Sequence, residues 1–273
     1  MRNRNQVFKA VLVVVALIAI HSNCLSQTKP CAPAGSGLMS WWPGDSNDNG
    51  IAKDIAGKND ARFLNGATVA PGMVGQAFKF QGKGSVDTLS AKASLLNPGN
   101  RLTLEFWMKG DKGNLMNTCC QGLVVSDHYG IELSPGRNAR TGVNFWIDVG
   151  GPLRGGTPAY HTSDSAGGGF TIEPGKWYHV AGVYNGSAIV LYVNGSAVVQ
   201  TPVTGKILPM KPKGPGHLTI GANAGRGTRH VRQFRGLIDE IKIYNRDLSA
   251  SEVQAIFNAG SAGNCKMTAA SGK

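Results

Sequence analysis

The stretch KWYHVAGVYNGSAIVLYVNGSAVVQ, residues 176–200, decides the fold class of this chain. It contains three runs rich in Val, Ala, Ile and Tyr, separated by Asn185-Gly186 and by Asn194-Gly195. An Asn-Gly pair between such runs is the strongest short-range signal for a β-hairpin, because both residues tolerate positive φ angles. The stretch therefore predicts a three-stranded antiparallel meander.

Alternating apolar residues extend this pattern along the chain. In RLTLEFWMKG, residues 101–110, every second residue from Leu102 to Met108 is apolar, which predicts a half-buried strand. Further strands are predicted at 76–82, 122–134, 141–150, 217–224 and 234–245. Many short strands separated by turns favour an all-β, antiparallel β-sandwich over βαβ units.

One segment has the pattern of a helix. In SASEVQAIFNAG, residues 249–260, Ser249 and Glu252 have the spacing of a capping box, and Gly260 can end the helix. The apolar residues of this segment share one helical face. We expect a short C-terminal helix that packs on the edge of the sandwich.

The N-terminus resembles a secretory signal peptide. Arg2, Arg4 and Lys9 precede the apolar run AVLVVVALIAI, which is short for a membrane span and is followed by small polar residues. We predict a signal peptide at 1–26; an uncleaved membrane anchor is the alternative. The protein is then secreted or extracytoplasmic, with no membrane span after cleavage.

The remaining chain divides into a linker at 27–36, one domain at 37–265 and a disordered tail at 266–273. The full chain has 28 basic and 16 acidic residues, so it carries a net charge of +12. A basic surface favours anionic partners such as acidic polysaccharides or cell-surface polymers. Because the protein is expected to be exported, the sequence predicts no nucleic-acid partner.

Export favours disulfides, and four cysteines remain after cleavage: Cys31, Cys119, Cys120 and Cys265. Three pairings are possible. Cys31 and Cys265 lie near the two ends of the domain, and domain ends are often close together, so we predict a bond between them. Cys119 is then left with Cys120.

A bond between adjacent cysteines is strained, because Cα atoms across a trans peptide lie about 3.8 Å apart whereas disulfides prefer about 4.4–6.8 Å. Such a ring would give Cys119 and Cys120 a flat, rigid surface that could lie beneath a ligand. A loop stiffener and two free thiols are equally compatible with the sequence.

Three blocks carry a family resemblance: GLMSWWPGDSNDNGIAKDIAGKNDARFLNGATVAPGMVGQAFKFQG, GKWYHVAGVYNGSAIVLYVNGSAV and FRGLIDEIKIYNRDLSASEVQAIFNAG. In this order they resemble the laminin-G-like jelly-roll domain of the concanavalin A-like lectin and glucanase superfamily. The resemblance implies two antiparallel sheets, one of them concave, with rim loops that bind sugars or calcium in many relatives. It does not fix the function, because this fold carries lectins, glycanases and adhesion modules.

The chain lacks the acidic motif of the glycanases that it resembles. Those enzymes place acidic residues alternately on one strand, as in Glu-x-Asp-x-Glu. Here each acidic residue of a predicted strand stands alone, and Asp239 and Glu240 are expected on opposite faces. We therefore predict a protein that is not an enzyme.

Calcium is the cofactor that the sequence suggests. The run PGDSNDNG and the segment LIDE contain Asp45 and Asp239, which match acidic positions in the relatives that the chain resembles. Carboxylates, amide oxygens and backbone carbonyls in loops are the ligands of Ca²⁺. Turn formation alone also explains a run of Asn and Asp.

Ligand contacts are predicted in three loop regions, at 117–130, 154–170 and 223–235. Aromatic rings and planar polar side chains are suited to sugars, and forked guanidinium groups are suited to carboxylates or sulfates. A solvated loop is the alternative for the arginine-rich region. The predicted ligand-binding residues are Cys119, Cys120, His128, Tyr129, Trp146, Tyr160, His161, Asp164, Arg226 and Arg229.

Two functions therefore stand. The first is a secreted, non-catalytic carbohydrate-binding or adhesion module, dependent on calcium, whose partner is a glycan, an anionic one included, or a cell-surface protein. The second is a structural or interaction spacer of the cell envelope without sugar binding. A glycan hydrolase or lyase is a third and weaker hypothesis.

Overall fold

A computed structural model describes residues 29–89, 96–112, 120–135, 141–150, 160–164, 169–209, 218–224 and 230–266. The predicted signal peptide and the chain beyond Lys266 lie outside the described residues. For residues 134, 135, 160–164, 224, 230 and 231, the backbone alone is described. Across these ranges, no helix is both long enough and apolar enough to cross a membrane.

The described residues form eighteen strands and one α-helix. In chain order they are β1 (Leu38–Trp42), β2 (Ile51–Ala52), β3 (Ala61–Leu64), β4 (Thr68–Pro71), β5 (Gln76–Gln81), β6 (Ser85–Thr88), β7 (Leu102–Gly110), β8 (Gln121–Val125), β9 (Tyr129–Pro135), β10 (Thr141–Asp148), β11 (Tyr160–Asp164), β12 (Tyr178–Tyr184), β13 (Ala188–Val193), β14 (Ser196–Pro202), β15 (Thr219–Ile220), β16 (Asn223–Ala224), β17 (His230–Val231), β18 (Arg235–Tyr244) and α1 (Ala250–Ala259). A short 3₁₀-helix, Gly260–Ala262, follows α1.

Two large antiparallel sheets contain almost all of these strands. The first sheet has the order β14-β13-β12-β7-β18-β5-β4, and β1 also pairs with β18. The second sheet has the order β11-β10-β9-β8-β15-β6-β3-β2, and β16 and β17 form a separate two-stranded hairpin. The prediction of an all-β, antiparallel jelly-roll sandwich with one short C-terminal helix is confirmed.

The predicted meander is β12, β13 and β14, and its two turns differ in geometry. Asn194 and Gly195 have φ angles of 50° and 78°, as a type I′ turn requires. In the first turn, Asn185 Oδ1 instead accepts hydrogen bonds of 2.9 Å from the backbone N–H groups of Ser187 and Ala188. Both Asn-Gly pairs therefore close hairpins, one through its backbone and one through its side chain.

The main core lies between the two sheets. From β7 it receives Leu102, Leu104, Phe106 and Met108, the residues that alternate in the sequence. The facing sheets approach closely at one point, since a Cβ atom on Gly182 of β12 would overlap the ring of Phe145 on β10. Glycine is therefore required at this position to admit the aromatic ring.

The prediction that β7 is half-buried is wrong. Thr103, Glu105 and Trp107 point away from the main core, yet they are no more than 4% exposed. Helix α1 covers this outer face of the first sheet, where the Phe257 ring stacks on Trp107 at 5.9 Å between centroids. A second apolar cluster forms there, with members from β12, β13, β18 and α1.

The same contacts extend the predicted position of the helix. Val253, Ile256 and Ala259 of α1 are buried with residues of β12, β13 and β18, so the helix packs on the outer face of the first sheet and also contacts its edge strand β14. The predicted capping box is present: Ser249 accepts from the Glu252 N–H, and the Glu252 side chain accepts from the Ser249 N–H.

The two ends of the domain are joined covalently. Cys31 and Cys265 form a disulfide with a Cα–Cα distance of 5.0 Å, which confirms the predicted pair. Beside it, Ala32 N–H donates to the Gly263 carbonyl at 2.9 Å and Cys265 N–H donates to the Ala32 carbonyl at 2.8 Å. The ends therefore lie side by side as a short ladder that the disulfide locks.

Replacing both Cys31 and Cys265 by Ser is expected to lower the free energy of unfolding by about 2–5 kcal/mol, because a very long loop of the unfolded chain loses its constraint. Denaturant unfolding of the double variant and of the oxidised wild type measures this difference. Wild type under reducing conditions should approach the variant, and a difference below about 1 kcal/mol would contradict a stabilising role.

Candidate functional site

The outer face of the second sheet, which points away from the core, carries a group of polar side chains around Trp146. Glu132 on β9 pairs directly with Asn144 on β10, and Trp146 lies two residues further along β10. From the β16–β17 hairpin, Asn223 Nδ2 donates to Glu132 Oε1 at 2.7 Å. We call Glu132, Asn144, Trp146 and Asn223 the outer-face patch.

Glu132 is the ionisable centre of this patch. Burial raises the pKa of the Glu132 carboxyl to about 7, although the Arg232 charge and hydrogen bonds from Trp146 and Asn223 act in the opposite direction. Near neutral pH this side chain therefore passes between an acceptor-only carboxylate and a carboxylic acid that can also donate.

Asn144 provides an unmet hydrogen-bonding group. Its side chain is half-buried, and its buried Oδ1 has no hydrogen-bond partner. An acceptor left in this state costs about 1–3 kcal/mol, and a bound hydroxyl or water that donates to it removes the cost. Trp146 is 9% exposed, so only a small part of its side chain is available to a ligand.

A histidine–aspartate pair lies next to the patch on the same face. His128 Nδ1 is 3.2 Å from Asp148 Oδ2, and Asp148 lies two residues beyond Trp146 on β10. The Ser126 hydroxyl donates to the Tyr129 carbonyl at 2.9 Å, so it closes the β8–β9 turn. These contacts give Ser126 a structural role and leave His128 oriented by its carboxylate partner.

Strand register brings further predicted residues toward this area. On the edge strand β11, Tyr160 lies opposite Asp148 and Asp164 lies opposite Asn144, while His161 lies opposite the core residue Ile147. Three of the predicted ligand-binding residues, Cys119, Arg226 and Arg229, lie outside the described residues. Two of the three predicted loop regions, 154–170 and 223–235, contain strands that end at or beside the patch.

Two of the predicted ligand-binding residues need separate comment. Tyr129 is 1% exposed, packs in the main core and donates its hydroxyl to the Leu96 carbonyl at 2.8 Å, so it is not a surface residue. Cys120, directly before β8, has a φ angle of 66° and is disulfide-bonded. Since Cys31 is bonded to Cys265, the partner of Cys120 lies outside the described residues, and its pairing with Cys119 stays a prediction.

Asp239, one of the two predicted calcium ligands, lies under the β4–β5 turn. Its Oδ2 accepts from the Met73 and Val74 N–H groups at 2.8 and 2.9 Å, while its buried Oδ1 has no partner. Burial raises the pKa of Asp239 to about 8, with hydrogen bonds from the turn opposing the rise and the charge of Glu240 adding to it. A nearby cation would favour the ionised form.

Asp45 lies against the same turn. Its Oδ1 accepts from the Gln76 N–H at 3.1 Å, and its Oδ2 is in contact with the Lys266 ammonium. A Cβ atom on Gly75 would collide with Asp45, and one on Gly72 would lie 2.5 Å from Asp239 Oδ2, so two glycines admit the carboxylates. We call Asp45 and Asp239 the rim carboxylates.

The residues at the rim provide some of the oxygen ligands that a hard cation such as Ca²⁺ requires. It offers two carboxylates, one of them with a buried oxygen that lacks a partner, beside a turn with backbone carbonyls. Within the described part of the chain, no three side chains of His, Cys, Asp or Glu are grouped to hold a metal ion. Calcium is compatible with this set, because it completes its oxygen shell with carbonyls and water.

The expectation that Asp239 and Glu240 lie on opposite faces is wrong. The pairing of β18 with β7 shifts register between Asp239 and Lys242, and Glu240 has a φ angle of 55°, so the strand contains a bulge. Asp239 pairs with Trp107 and Lys242 pairs with Glu105, both of which are on the outer face. The extra residue sends Glu240 to that face as well.

Glu240 joins a buried charge network under helix α1. Lys242 Nζ lies 3.1 Å from Glu240 Oε2 and 3.5 Å from Glu105 Oε1, and His179 Nε2 lies 2.6 Å from Glu105 Oε2. Trp41 Nε1 donates to Glu240 Oε2 at 3.0 Å, and its ring lies 4.8 Å from the ammonium. The charged side chains are about 1% exposed, so this network is structural and not a ligand site.

Burial and the Lys242 charge act in opposite directions on the pKa values of the two carboxyl groups in this network. Burial alone would raise the pKa of Glu105, but Lys242 and His179 outweigh it and hold that pKa below its usual range. Burial likewise opposes the charged form of Lys242, and the two carboxylates still raise its pKa. The pKa of Glu240 is raised by burial despite Lys242.

Sequence reasoning missed Glu132 as a site residue, as well as Asn144 and Asn223. Glu132 and Asn144 become neighbours only through the register of β9 and β10, and Asn223 reaches them from a distant hairpin. The alternation of Asn144 and Trp146 in TGVNFWID is the signal that could have placed both on one face.

Two antiparallel sheets packed face to face, with polar groups on the outer face of one of them, define a lectin-like jelly-roll sandwich. The chain belongs to the laminin G family of the concanavalin A-like lectin and glucanase superfamily, since the family model matches residues 81–254. The family resemblance noted in the sequence is thereby confirmed.

Two curated relatives are similar over most of this chain. Human pappalysin-1 is 28% identical over 198 residues, which are 68% of this chain and 11% of that protein. Mouse pappalysin-1 is 28% identical over 185 residues, which are 64% of this chain and 10% of the mouse protein. The chain therefore spans about a tenth of the length of these relatives.

Solved structures share the fold at low identity. Domain 4 of AbnA, a GH43 extracellular arabinanase from Geobacillus stearothermophilus in complex with arabinotriose, has a TM-score of 0.58 at 19% identity, over 80% of this chain and 96% of that domain. The binding domain of botulinum neurotoxin DC in complex with SialylT has a TM-score of 0.57 at 14% identity, over 82% of this chain and 52% of the neurotoxin chain. A Trypanosoma rangeli sialidase mutant displaying trans-sialidase activity has a TM-score of 0.53 at 20% identity, over 81% of this chain and 32% of the sialidase chain. These neighbours establish the fold and include both binding domains and an enzyme.

The raised pKa of Glu132 predicts a pH-dependent stability. Between about pH 4.5 and 7 the unfolded chain has lost this proton and the folded chain keeps it, so stability falls as pH rises, by up to about 3 kcal/mol. Glu132→Gln keeps an acceptor for Asn223 but cannot ionise, so its free energy of unfolding should not fall in this way between about pH 4.5 and 7. Urea unfolding at several pH values measures it, and parallel curves for both proteins would contradict the prediction.

Lys242→Met is expected to lower the free energy of unfolding by about 3–5 kcal/mol, because two buried carboxylates lose their counter-charge. Lys79→Met, at an exposed lysine of β5, is the matched control and should change it by less than about 0.5 kcal/mol. Denaturant unfolding measures both. Equal effects of the two substitutions would show that the network does not stabilise the fold.

Proposed function

We propose that this protein is a secreted, non-catalytic carbohydrate-binding module whose sugar contact is the outer-face patch. One observation carries the proposal: Asn144 Oδ1 is a buried acceptor without a partner, next to Trp146 and to a carboxyl group of pKa about 7. An amide oxygen that lacks a partner and a carboxyl group that can accept and donate suit neutral hydroxyl groups.

The surroundings of the patch add polar groups and charge. His128, oriented by Asp148, lies on the same face, and the positive charge of Arg232 acts on Glu132. The chain is basic overall, which favours approach of an anionic glycan. Among proteins with this fold, one is described with bound arabinotriose and another with SialylT.

The spacing of the described acidic side chains supports the proposal of binding without cleavage. Glycosidases hold two carboxyl groups about 5–9.5 Å apart across the bond that is cleaved. Asp148 lies four residues along the sheet from the row of Glu132, which is about 13 Å at 3.3 Å per residue. Asp164 is in the same register row as Glu132, but its side chain lies outside the described residues.

Export supports an extracellular role. The Cys31–Cys265 disulfide is typical of oxidising compartments, and a predicted signal peptide precedes it. The arabinanase whose domain 4 shares this fold is described as extracellular. The module would therefore meet polysaccharides outside the cytoplasm.

We further propose that binding depends on calcium held at the rim. Asp239 Oδ1 and Asp45 would contribute carboxylate oxygens, and the β4–β5 turn would contribute carbonyls. Calcium would supply positive charge that keeps Asp239 ionised and holds the turn in place.

A structural or protein-binding spacer is the second candidate function. A binding domain with this fold is described in complex with rat synaptotagmin II, so the fold also serves protein partners. This candidate predicts no glycan binding at the outer-face patch. It is therefore separated from the first candidate by a direct binding measurement.

Asn144→Ala is expected to weaken glycan binding about tenfold, because a hydrogen bond to a ligand hydroxyl is lost. The same change should leave thermal stability equal or slightly higher, since it removes an unsatisfied acceptor from the fold. A glycan array, followed by titration calorimetry on the glycans that bind, measures affinity with and without a chelator.

Asn258→Ala, at an exposed position on α1 far from the patch, is the matched control and should bind as wild type does. Loss of binding in the chelator supports the calcium requirement. If the wild type binds no glycan, the sugar-binding proposal fails and the spacer remains. If Asn144→Ala binds normally, the patch is not the contact.

A further inference from the structure

We infer that Lys266 is a tethered counter-ion of Asp45 and that it competes with calcium for this rim carboxylate. This inference rests on the calcium binding proposed above and concerns its regulation by the chain itself. It assigns a specific role to a residue that the sequence placed at the start of a disordered tail.

The first observation is the position of the ammonium group. Lys266 Nζ contacts Asp45 Oδ2, the oxygen that is not used by the β4–β5 turn. An ion cannot take this oxygen as a ligand while the ammonium remains there, because two cations at contact distance repel. Lysine pairing and calcium ligation at this oxygen of Asp45 therefore compete.

The second observation is that lysine satisfies the rim incompletely. Asp239 is fully buried, and its Oδ1 has no partner although Lys266 lies beside Asp45. A divalent ion shared by both rim carboxylates would satisfy this oxygen, whereas one ammonium at Asp45 does not. The site is thus occupied at one carboxylate and unsatisfied at the other.

The third observation is the tether. Lys266 directly follows Cys265, which is bonded to Cys31 and donates its N–H to the Ala32 carbonyl at 2.8 Å. The anchor fixes the backbone next to the rim, so the lysine competes at a high effective concentration. The side chain itself is 50% exposed, which allows it to leave without disrupting the core.

Displacement of Lys266 would also change a cavity at the rim. A cavity of about 150 Å³ lies beside Asp45 and has the Lys266 side chain in its wall. Its other walls include Ser46, Lys53 and Ile55. Displacement of Lys266 from Asp45 would therefore change one wall of this cavity.

Calcium titration calorimetry on the mature, oxidised protein tests the inference. Lys266→Met should bind calcium about tenfold more tightly than the wild type, because a competing charge at contact distance is removed. Lys266→Arg, which keeps the charge, should bind as the wild type does. Lys83→Met, at an exposed lysine beyond the far end of β5, is the matched control for a general loss of positive charge.

Each outcome of the titration either supports or overturns the competition between Lys266 and calcium. Equal affinity of wild type and Lys266→Met overturns the competition and leaves the proposed calcium site intact. If neither the wild type nor Lys266→Met binds calcium, both the competition and the proposed calcium site are overturned. A gain with Lys266→Met that persists in the Asp45→Asn background places the ion elsewhere and also overturns the inference, whereas loss of the gain supports it.

Discussion

The buried ammonium of Lys242 is the interaction on which the architecture of the first sheet depends. Two carboxylates and a histidine lie under helix α1 with almost no exposure, and only a paired cation makes their burial tolerable. Because the charges are paired, the helix can cover the sheet and the second apolar cluster can form. The sheet is therefore closed on its outer side, and the second sheet carries the outer-face patch.

Much of the fold could be predicted from local chemistry. Asn-Gly turns, the capping box at Ser249 and the positions of Cys31 and Cys265 each act within short range or at the chain ends. The outer burial of β7 could not be predicted this way, because Glu105 and Trp107 look like solvent-facing residues until a helix 150 residues later covers them. The bulge at Glu240 did leave a signal: Ile238 and Ile241 are three apart in a strand of period two.

The candidate site was only partly predictable for a related reason. Trp146 could be placed on an outward face by alternation, but Glu132 and Asn144 became its neighbours through strand register, which a single sequence does not specify. Tyr129 is the opposite case, a residue that was predicted to bind a ligand but lies in the core. As an aromatic residue next to a polar turn it looked available to a ligand, yet alternation along β9 directs it into the core, where it contacts Leu96.

The bridge between Cys31 and Cys265 has a mechanical consequence. With 5.0 Å between their Cα atoms, tension applied to the flanking chain passes through one covalent bond and leaves the strands unloaded. A domain clamped in this way would keep its strands paired while its ends are pulled. Without the disulfide the same force would instead act on β1 and on helix α1 with the 3₁₀-helix that follows it, the first elements inside the two cysteines.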